Sequence, residues 1–321
     1  VWDRAWANRI ALFLRRWCAQ KHKISEEELL GAMPQAEILV THDVDAVRKT
    51  GAIRLKQSLF NAYNSIRFFV NGDMSNAFLY FKKTFFFFFG IKSWWTFEDL
   101  IELESNLSVR GCFNLFADER SRSFSRWLFD PKYSIRESKI EKLIRNLLDN
   151  KMLIGLHPSY DSWADGDLIR NQKRNLESVV GEKTNLCRQH WLRFAWNSTW
   201  PAQQQAGLAL DMTLMFNDRP GFRSAVALQW SPFDQKSGQK HKIQALPTVF
   251  MDSHFYDYQP MTKEQRHSSI SGWIDEVCAV KGKIAILWHP HTLSDDYGWR
   301  DGFLDVLSIL REAMEDEVLH S

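Results

Sequence analysis

Six short apolar runs alternate with helical stretches along this chain, and that alternation restricts the fold more than any other feature. The runs occupy 38–40, 112–116, 152–156, 210–216, 243–250 and 284–288, and amphipathic stretches such as 138–149 and 168–180 lie between them. Strands separated by helices read as βα units, which build a parallel sheet or barrel. At 321 residues the chain suits one large α/β unit or two ordinary domains. No internal repeat, low-complexity tail or Pro/Gly/Ser linker divides it, so one domain with an N-terminal extension is expected.

The extension covers 1–34. Trp2, Trp6, Ile10, Phe13, Leu14 and Trp17 recur at three- and four-residue spacings, which predicts a helix, and Gly31 and Pro34 end the pattern. The barrel is expected over 35–321. Between 47 and 95 the chain is rich in basic and aromatic residues and reads as helices in a long excursion. Its five consecutive phenylalanines, 85–89, are expected to pack a helix onto the core, with a membrane or partner contact as the alternative. The segment 95–103 reads as helix, with Thr96 at the N-cap and Asp99 at the capping-box position.

Composition narrows the function classes. Forty-one Lys and Arg against thirty-nine Asp and Glu leave a formal charge of +2, and there is no long basic run, so no nucleic-acid partner is expected. Four widely spaced cysteines without a CxxC pair read as buried thiols rather than a zinc knuckle or disulfide scaffold. No transmembrane segment or signal peptide is visible. A cytoplasmic protein is the expectation, although a chain starting at Val1 is compatible with a removed upstream segment.

Four apolar runs end in reactive side chains, and in a parallel barrel all strand C-termini open on one face. Asp43-Val44-Asp45 offers two carboxylates that would share a face if the strand continued, or an Asx turn if it does not. In His157-Pro158-Ser159-Tyr160-Asp161, Pro158 suits the start of a helical turn, and a four-residue spacing would put His157 and Asp161 on one face. With Asp45 they form a His plus two carboxylate set of the kind that suits zinc in an open site, and also iron or manganese. Arg188 could hold a catalytic carboxylate ionised through a bidentate pair. In Leu287-Trp288-His289-Pro290-His291, His289 has the pKa range of a general acid, while His289 and His291 could also be metal ligands or core residues.

The ordered set Thr41-His42-Asp43-Val44-Asp45, His157-x-x-x-Asp161, Arg188 and Leu287-Trp288-His289 resembles the motifs of the polysaccharide deacetylase family, the NodB-type carbohydrate esterases. The correspondence runs from Glu37 to Tyr297, and Asp218-Arg219-Pro220-Gly221-Phe222-Arg223 matches one bacterial branch as well. The resemblance implies an irregular (β/α)7 barrel and a metal-dependent hydrolase that removes acetyl groups from a carbohydrate substrate, with a divalent metal ion, most simply Zn²⁺. It implies Asp43 as catalytic base, Asp45 and His157 as metal ligands, Arg188 as the group orienting the base, and His289 as the acid. Asp161 stands where the family carries a second metal histidine, and the usual adjacent Asp pair is spread to Asp43-x-Asp45. Trp191 and Trp288, with Trp163 and Trp299, are candidates for stacking on sugar, and Arg219 and Arg223 for an anionic group. The expected reaction is N-deacetylation of a bacterial surface polysaccharide or its precursor. The alternatives are hydrolysis of a small amide or cyclic ureide, or a barrel that binds carbohydrate without catalysis.

Overall fold

A computed structural model describes residues 2–91, 93–107 and 109–320, the side chains of 314–320 excepted. The apolar runs become strands β1 (Glu37–Asp43), β2 (Cys112–Leu115), β3 (Leu153–Leu156), β4 (Leu186–Cys187) and β5 (Leu210–Asp211). A small ribbon, β6 (Phe233–Asp234) and β7 (Gln239–Lys240), precedes β8 (Gln244–Ala245), β9 (Thr248–Met251) and β10 (Lys283–Leu287). Eight strands form one parallel sheet in the order β8-β5-β4-β3-β2-β1-β10-β9. Its two end strands belong to a single stretch of chain, for only Leu246 and Pro247 separate β8 from β9. β8 pairs with β5 and β9 with β10. Pro247 has no N–H for the ladder, yet its carbonyl accepts from Ala285 and the Leu246 N–H donates to Asp211. The curled sheet therefore closes through one interrupted stave into seven, the expected (β/α)7 barrel. It is irregular because no helix links β5 to β8.

The helices are α1 (Trp6–His22), α2 (Glu26–Leu30), α3 (Gly51–Val70), α4 (Met74–Phe89), α5 (Phe97–Asn106), α6 (Phe124–Phe129), α7 (Ser138–Asp149), α8 (Gly166–Val180), α9 (Thr199–Gln205), α10 (Lys263–Ala279) and α11 (Arg300–His320). α7 shows why they form: Ile140, Leu143, Ile144 and Leu147 repeat at i, i+3, i+4 and i+7, and all four are buried. α5 starts at Phe97, and the Thr96 hydroxyl does not cap it but donates to the Pro290 carbonyl. Of the five phenylalanines only Phe87 reaches the core, against Trp94 and Tyr297; the others lie on the outside of α4. The expectation that this run packs its helix inward holds for one ring in five.

Side-chain alternation along each strand sorts the interior from the shell. Leu39, Leu153, Leu186 and Leu210 pack with Cys112, Met212, Leu246 and Ala285 into one apolar layer. Val40, Phe113, Leu115, Leu156, Ile284 and Ile286, of opposite parity, join the core shared with the helices. His42 belongs to this second set. Its ring is 2.7 Å from Glu104 of α5 and 2.6 Å from the Trp288 carbonyl, so this histidine is a strut between sheet and helix.

The N-terminal segment is tied to the barrel by backbone bonds of Trp2 and Ala7, by Asn8 to Ala227, and by one buried carboxylate. Glu276 of α10, buried, accepts from the Ala5 N–H (3.0 Å), from Arg4 (2.8 Å) and from Arg9 (2.8 Å). Burial disfavours its charged form, but Arg9, Arg4 and the Ala5 N–H outweigh burial and hold its pKa down to about 2. A depressed carboxyl contributes stability above its unfolded pKa of about 4.3 and loses it as pH falls through the folded value. We predict that Glu276→Gln destabilises the protein by about 2–3 kcal/mol at neutral pH. In denaturant melts the gap from the parent should narrow between about pH 4 and pH 2; a gap independent of pH would show that the charge is not what holds the segment.

Candidate active site

Inward-facing positions continue past the strand ends, and the same parity carries Asp43, His157, Arg188, His190 and His289 to the C-terminal mouth of the barrel. Arg188 follows β4 and is fully buried. Its Nε donates to the Met212 carbonyl (2.9 Å), one Nη to Thr41 (2.7 Å) and Asp43 (3.0 Å), and the other to Thr248 (2.9 Å). Asp43 Oδ1 accepts a further bond from Asn114 of β2 at 2.8 Å. Burial raises the Asp43 pKa, but Arg188 and then His157 and His289 outweigh it, and the group is held below the usual carboxylate range. The bond to Asn114 depends on Gly155, because a Cβ at that position would collide with the Asn114 amide oxygen.

β1 ends at Asp43, and the chain turns at once, with the Asp45 N–H bonded to the Asp43 carbonyl. The turn brings the Asp45 carboxylate over the pocket. His157 Nδ1 lies 2.7 Å from the Arg188 carbonyl, which can only accept, so Nδ1 carries a proton and Nε2 points into the mouth. Nε2 is 3.1 Å from Asp45 Oδ1, yet neither atom makes a hydrogen bond, and both are buried. His190 Nε2 comes within 3.6 Å of the same oxygen, and its ring lies 4.8 Å from that of His157. Burial pushes the His190 pKa down to about 3, against the pull of Asp45, so its ring is neutral. Asp45, His157 and His190 each offer one ligand atom, and the three atoms lie within 4.8 Å of one another. Asp45 Oδ1 and His157 Nε2, both buried without a hydrogen bond, with His190 Nε2 beside them, are a donor set for a divalent cation with an open coordination position.

His289 stands on the far side of Asp45, with Nε2 at 3.6 Å from Asp45 Oδ2. Its Nδ1 is 2.9 Å from Asp252, whose carboxylate also accepts from the His289 backbone N–H (2.8 Å) and the Thr292 hydroxyl (2.9 Å). Burial lowers the His289 pKa, but Asp252, with help from Asp45 and Asp43, overcomes this and raises it to about 9. The imidazole is therefore charged at neutral pH. His291 behaves differently: burial and the neighbouring His289 push it down to about 4, and its ring stacks on Trp94 at 5.4 Å.

Two expectations are corrected here. No helical turn follows His157; the chain is irregular until α8 begins at Gly166, so the i, i+4 alignment with Asp161 does not arise. The Asp161 carboxylate instead pairs with Arg120 (2.8 Å) and accepts from Ser159 (2.7 Å), and His190 occupies the third corner. Trp288 is buried against Phe303 and Tyr256, because it has the opposite parity to His289 and faces the helices. Trp299 is likewise buried and stacks on Tyr256. Trp191 is open at 46 % exposure, beside the His190 ring and under the Lys56 ammonium at 4.0 Å. Trp191 and Leu192 have φ of 58° and 49°, left-handed values uncommon for such residues, and this turn sends His190 inward and Trp191 out. Arg219 pairs with Asp218 and Arg223 donates to the Met215 carbonyl; among the described residues no bond joins either to the ionisable groups of the mouth.

Asn114, His190 and Asp252 were not singled out from sequence as site residues. Asn114 and Asp252 sit at the C-terminal ends of β2 and β9, the same placement that marked the other four elements, so the signal existed in the runs 112–116 and 243–250. His190 shares the parity of Arg188, two residues before it.

No family model and no curated protein matches the chain. Among solved structures it is similar to a Mycobacterium smegmatis protein described as a polysaccharide deacetylase, with 18% identity, a TM-score of 0.47, and 89% of this chain and 84% of that chain covered. It is also similar to the chitin deacetylase of the fungal pathogen Colletotrichum lindemuthianum, with 12% identity, a TM-score of 0.39, and 88% and 84% covered. A third is a family 4 carbohydrate esterase pseudoenzyme from Bacillus anthracis, with 10% identity, a TM-score of 0.39, and 91% and 68% covered.

The Gly155 contact supplies a test of the Asp43 support. Gly155→Ala should force the Asn114 amide out of place and cost about 1–3 kcal/mol of stability, as overpacking a filled interior does. Denaturant melts would show it; an unchanged midpoint would mean that Asn114 is not wedged between β3 and Asp43.

Proposed function

We propose that this chain is a metal-dependent deacetylase of the polysaccharide deacetylase type, which hydrolyses the acetamide of an N-acetylated sugar in a bacterial surface polysaccharide or its precursor. One observation carries the reading: ligand atoms of Asp45, His157 and His190, those of Asp45 and His157 buried without a hydrogen bond, gather between a carboxylate locked by Arg188 and an imidazole locked by Asp252. Asp45, His157 and His190 are the residues that would hold the ion, and Asp161 is not among them. A bound divalent cation supplies Lewis acidity toward a carbonyl oxygen and toward water.

The chain's own residues divide the proton transfers. Asp43, kept ionised by Arg188, accepts a proton as water adds to the acetyl carbon. His289 carries a proton on Nε2 and gives it to the sugar nitrogen as the C–N bond breaks, so acetate and a free amine leave. Asp252 fixes the orientation of the His289 ring and keeps it charged. Trp191 offers an open aromatic face at the mouth, suited to the apolar side of a sugar ring.

Natively purified protein should hold one divalent ion per chain by elemental analysis, and chelation should abolish acetate release from N-acetylated chito-oligosaccharides. His190→Ala and Asp45→Ala should lose the ion, whereas Asp161→Ala should keep it; loss of metal from the Asp161 variant alone would overturn the assignment. Asp43→Asn and Asp252→Asn should retain metal while turnover falls roughly 10²–10⁴-fold. Full hydrolysis by metal-free protein would discard the mechanism, and release of ammonia or a ring-opened product in place of acetate would move the activity to a small amide or cyclic ureide.

A further inference from the structure

The helical hairpin α3–α4 turns polar residues of α3 inward and leaves long apolar stripes of both helices outside. Ser58, Asn61 and Asn64 are buried in the seam between the two helices, where Ser58 donates to the Thr84 carbonyl and Ser65 to the Ala77 carbonyl. Many apolar residues face outward. On α3, Leu55, Leu59, Tyr63, Ile66 and Val70 follow one another at i, i+4, i+8, i+11 and i+15, a single stripe, and all are exposed. On α4 the stripe is Met74, Phe78, Phe81, Phe85 and Phe89, again all exposed, with Phe89 at 72 %. Ala77, Tyr80 and Phe87 of α4 are buried, but two continuous apolar stripes stay open to solvent, more than the scattered apolar side chains of an ordinary surface. Polar and small side chains in a helix seam with an apolar exterior are what a lipid environment favours.

Charge identifies the surface. Within 51–91 there are five cations, Arg54, Lys56, Arg67, Lys82 and Lys83, against one anion, Asp73; Arg54 donates to the Phe88 carbonyl, and Lys56 and Lys83 interact with Asp45 and Asp257, outside the hairpin. Asp73 is committed to capping α4 through the Asn76 N–H at 3.0 Å. Lys82 lies 4.5 Å over the Phe78 ring and is solvent-exposed, so its stem covers apolar surface and its ammonium stays free. A second copy of the same hairpin would set like charges against each other; an anionic lipid surface complements both the charge and the exposed rings. No helix among the described residues is long and apolar enough to cross a membrane, so the hairpin would lie in the headgroup layer.

We propose that α3–α4 docks this protein on the surface of an anionic phospholipid bilayer. The hairpin leaves the barrel where β1 ends, at the same mouth as Asp43 and Asp45, and its Lys56 sits over Trp191. Docking therefore holds the active-site mouth beside the headgroups. The inference is independent of the reaction assigned to the site, and it is tested without substrate. The full chain should float with vesicles of phosphatidylcholine containing about a third phosphatidylglycerol, bind pure phosphatidylcholine at least about tenfold more weakly, and lose affinity in about 0.5 M salt. A Phe85→Ser/Phe89→Ser variant should lower partitioning by about tenfold or more and keep its far-ultraviolet circular dichroism and melting temperature. Should that variant fold poorly, hydrogen exchange of the parent protein on phosphatidylglycerol vesicles should show protection confined to 51–91. Absence of partitioning into either vesicle type would overturn the proposal. So would a dimer in sedimentation equilibrium that the same substitutions dissolve without vesicle binding, since the face would then belong to a second copy.

Discussion

A single guanidinium organises the barrel mouth. Arg188 is a full positive charge without solvent, a situation that is costly unless every donor is matched. Its partners come from β1, from the residue after β5, and from β9, while its own carbonyl accepts a hydrogen bond from His157. One side chain on the shortest kind of strand, two residues long, thereby sets the distance between four staves. It also fixes which oxygen of Asp43 is occupied. A lysine could not do this, because it lacks the planar fork that reaches three directions at once.

The two site histidines are set by different acceptors, and the difference decides their roles. His157 donates a hydrogen bond from Nδ1–H to a neutral carbonyl, which turns its Nε2 toward Asp45. His289 meets a carboxylate, Asp252, which stabilises the charged ring. The two rings are chemically identical, and the groups behind them make one a ligand and the other an acid in the proposed mechanism. His190 is a third case: buried and without a hydrogen-bond partner on Nδ1, it stays neutral.

Much of this was legible in the residues. The alternation of apolar runs and amphipathic stretches indicated a parallel closed sheet, and the strand-end rule located Asp43, Asp45, His157, Arg188 and His289 at one mouth. Asp161 misled because its spacing from His157 has meaning only on a helix, and none forms there. Trp288 misled because adjacency to His289 along a strand means the opposite face. In the run 85–89 phenylalanine marks a core at Phe87 alone, because adjacent residues of a helix point to different sides and only that one faces Trp94 and Tyr297.

The order of residues carries the alternating pattern that makes a seven-stave barrel and the chemical types gathered at its open end, since period-two burial and strand direction are local properties. Which imidazole completes the group with Asp45 and His157, which carboxylate charges His289, and which side of the hairpin faces outward were settled by packing. Those outcomes depend on contacts between residues far apart in the chain, such as Arg188 with Asp43 across 145 positions, and no local pattern encodes which distant groups will meet.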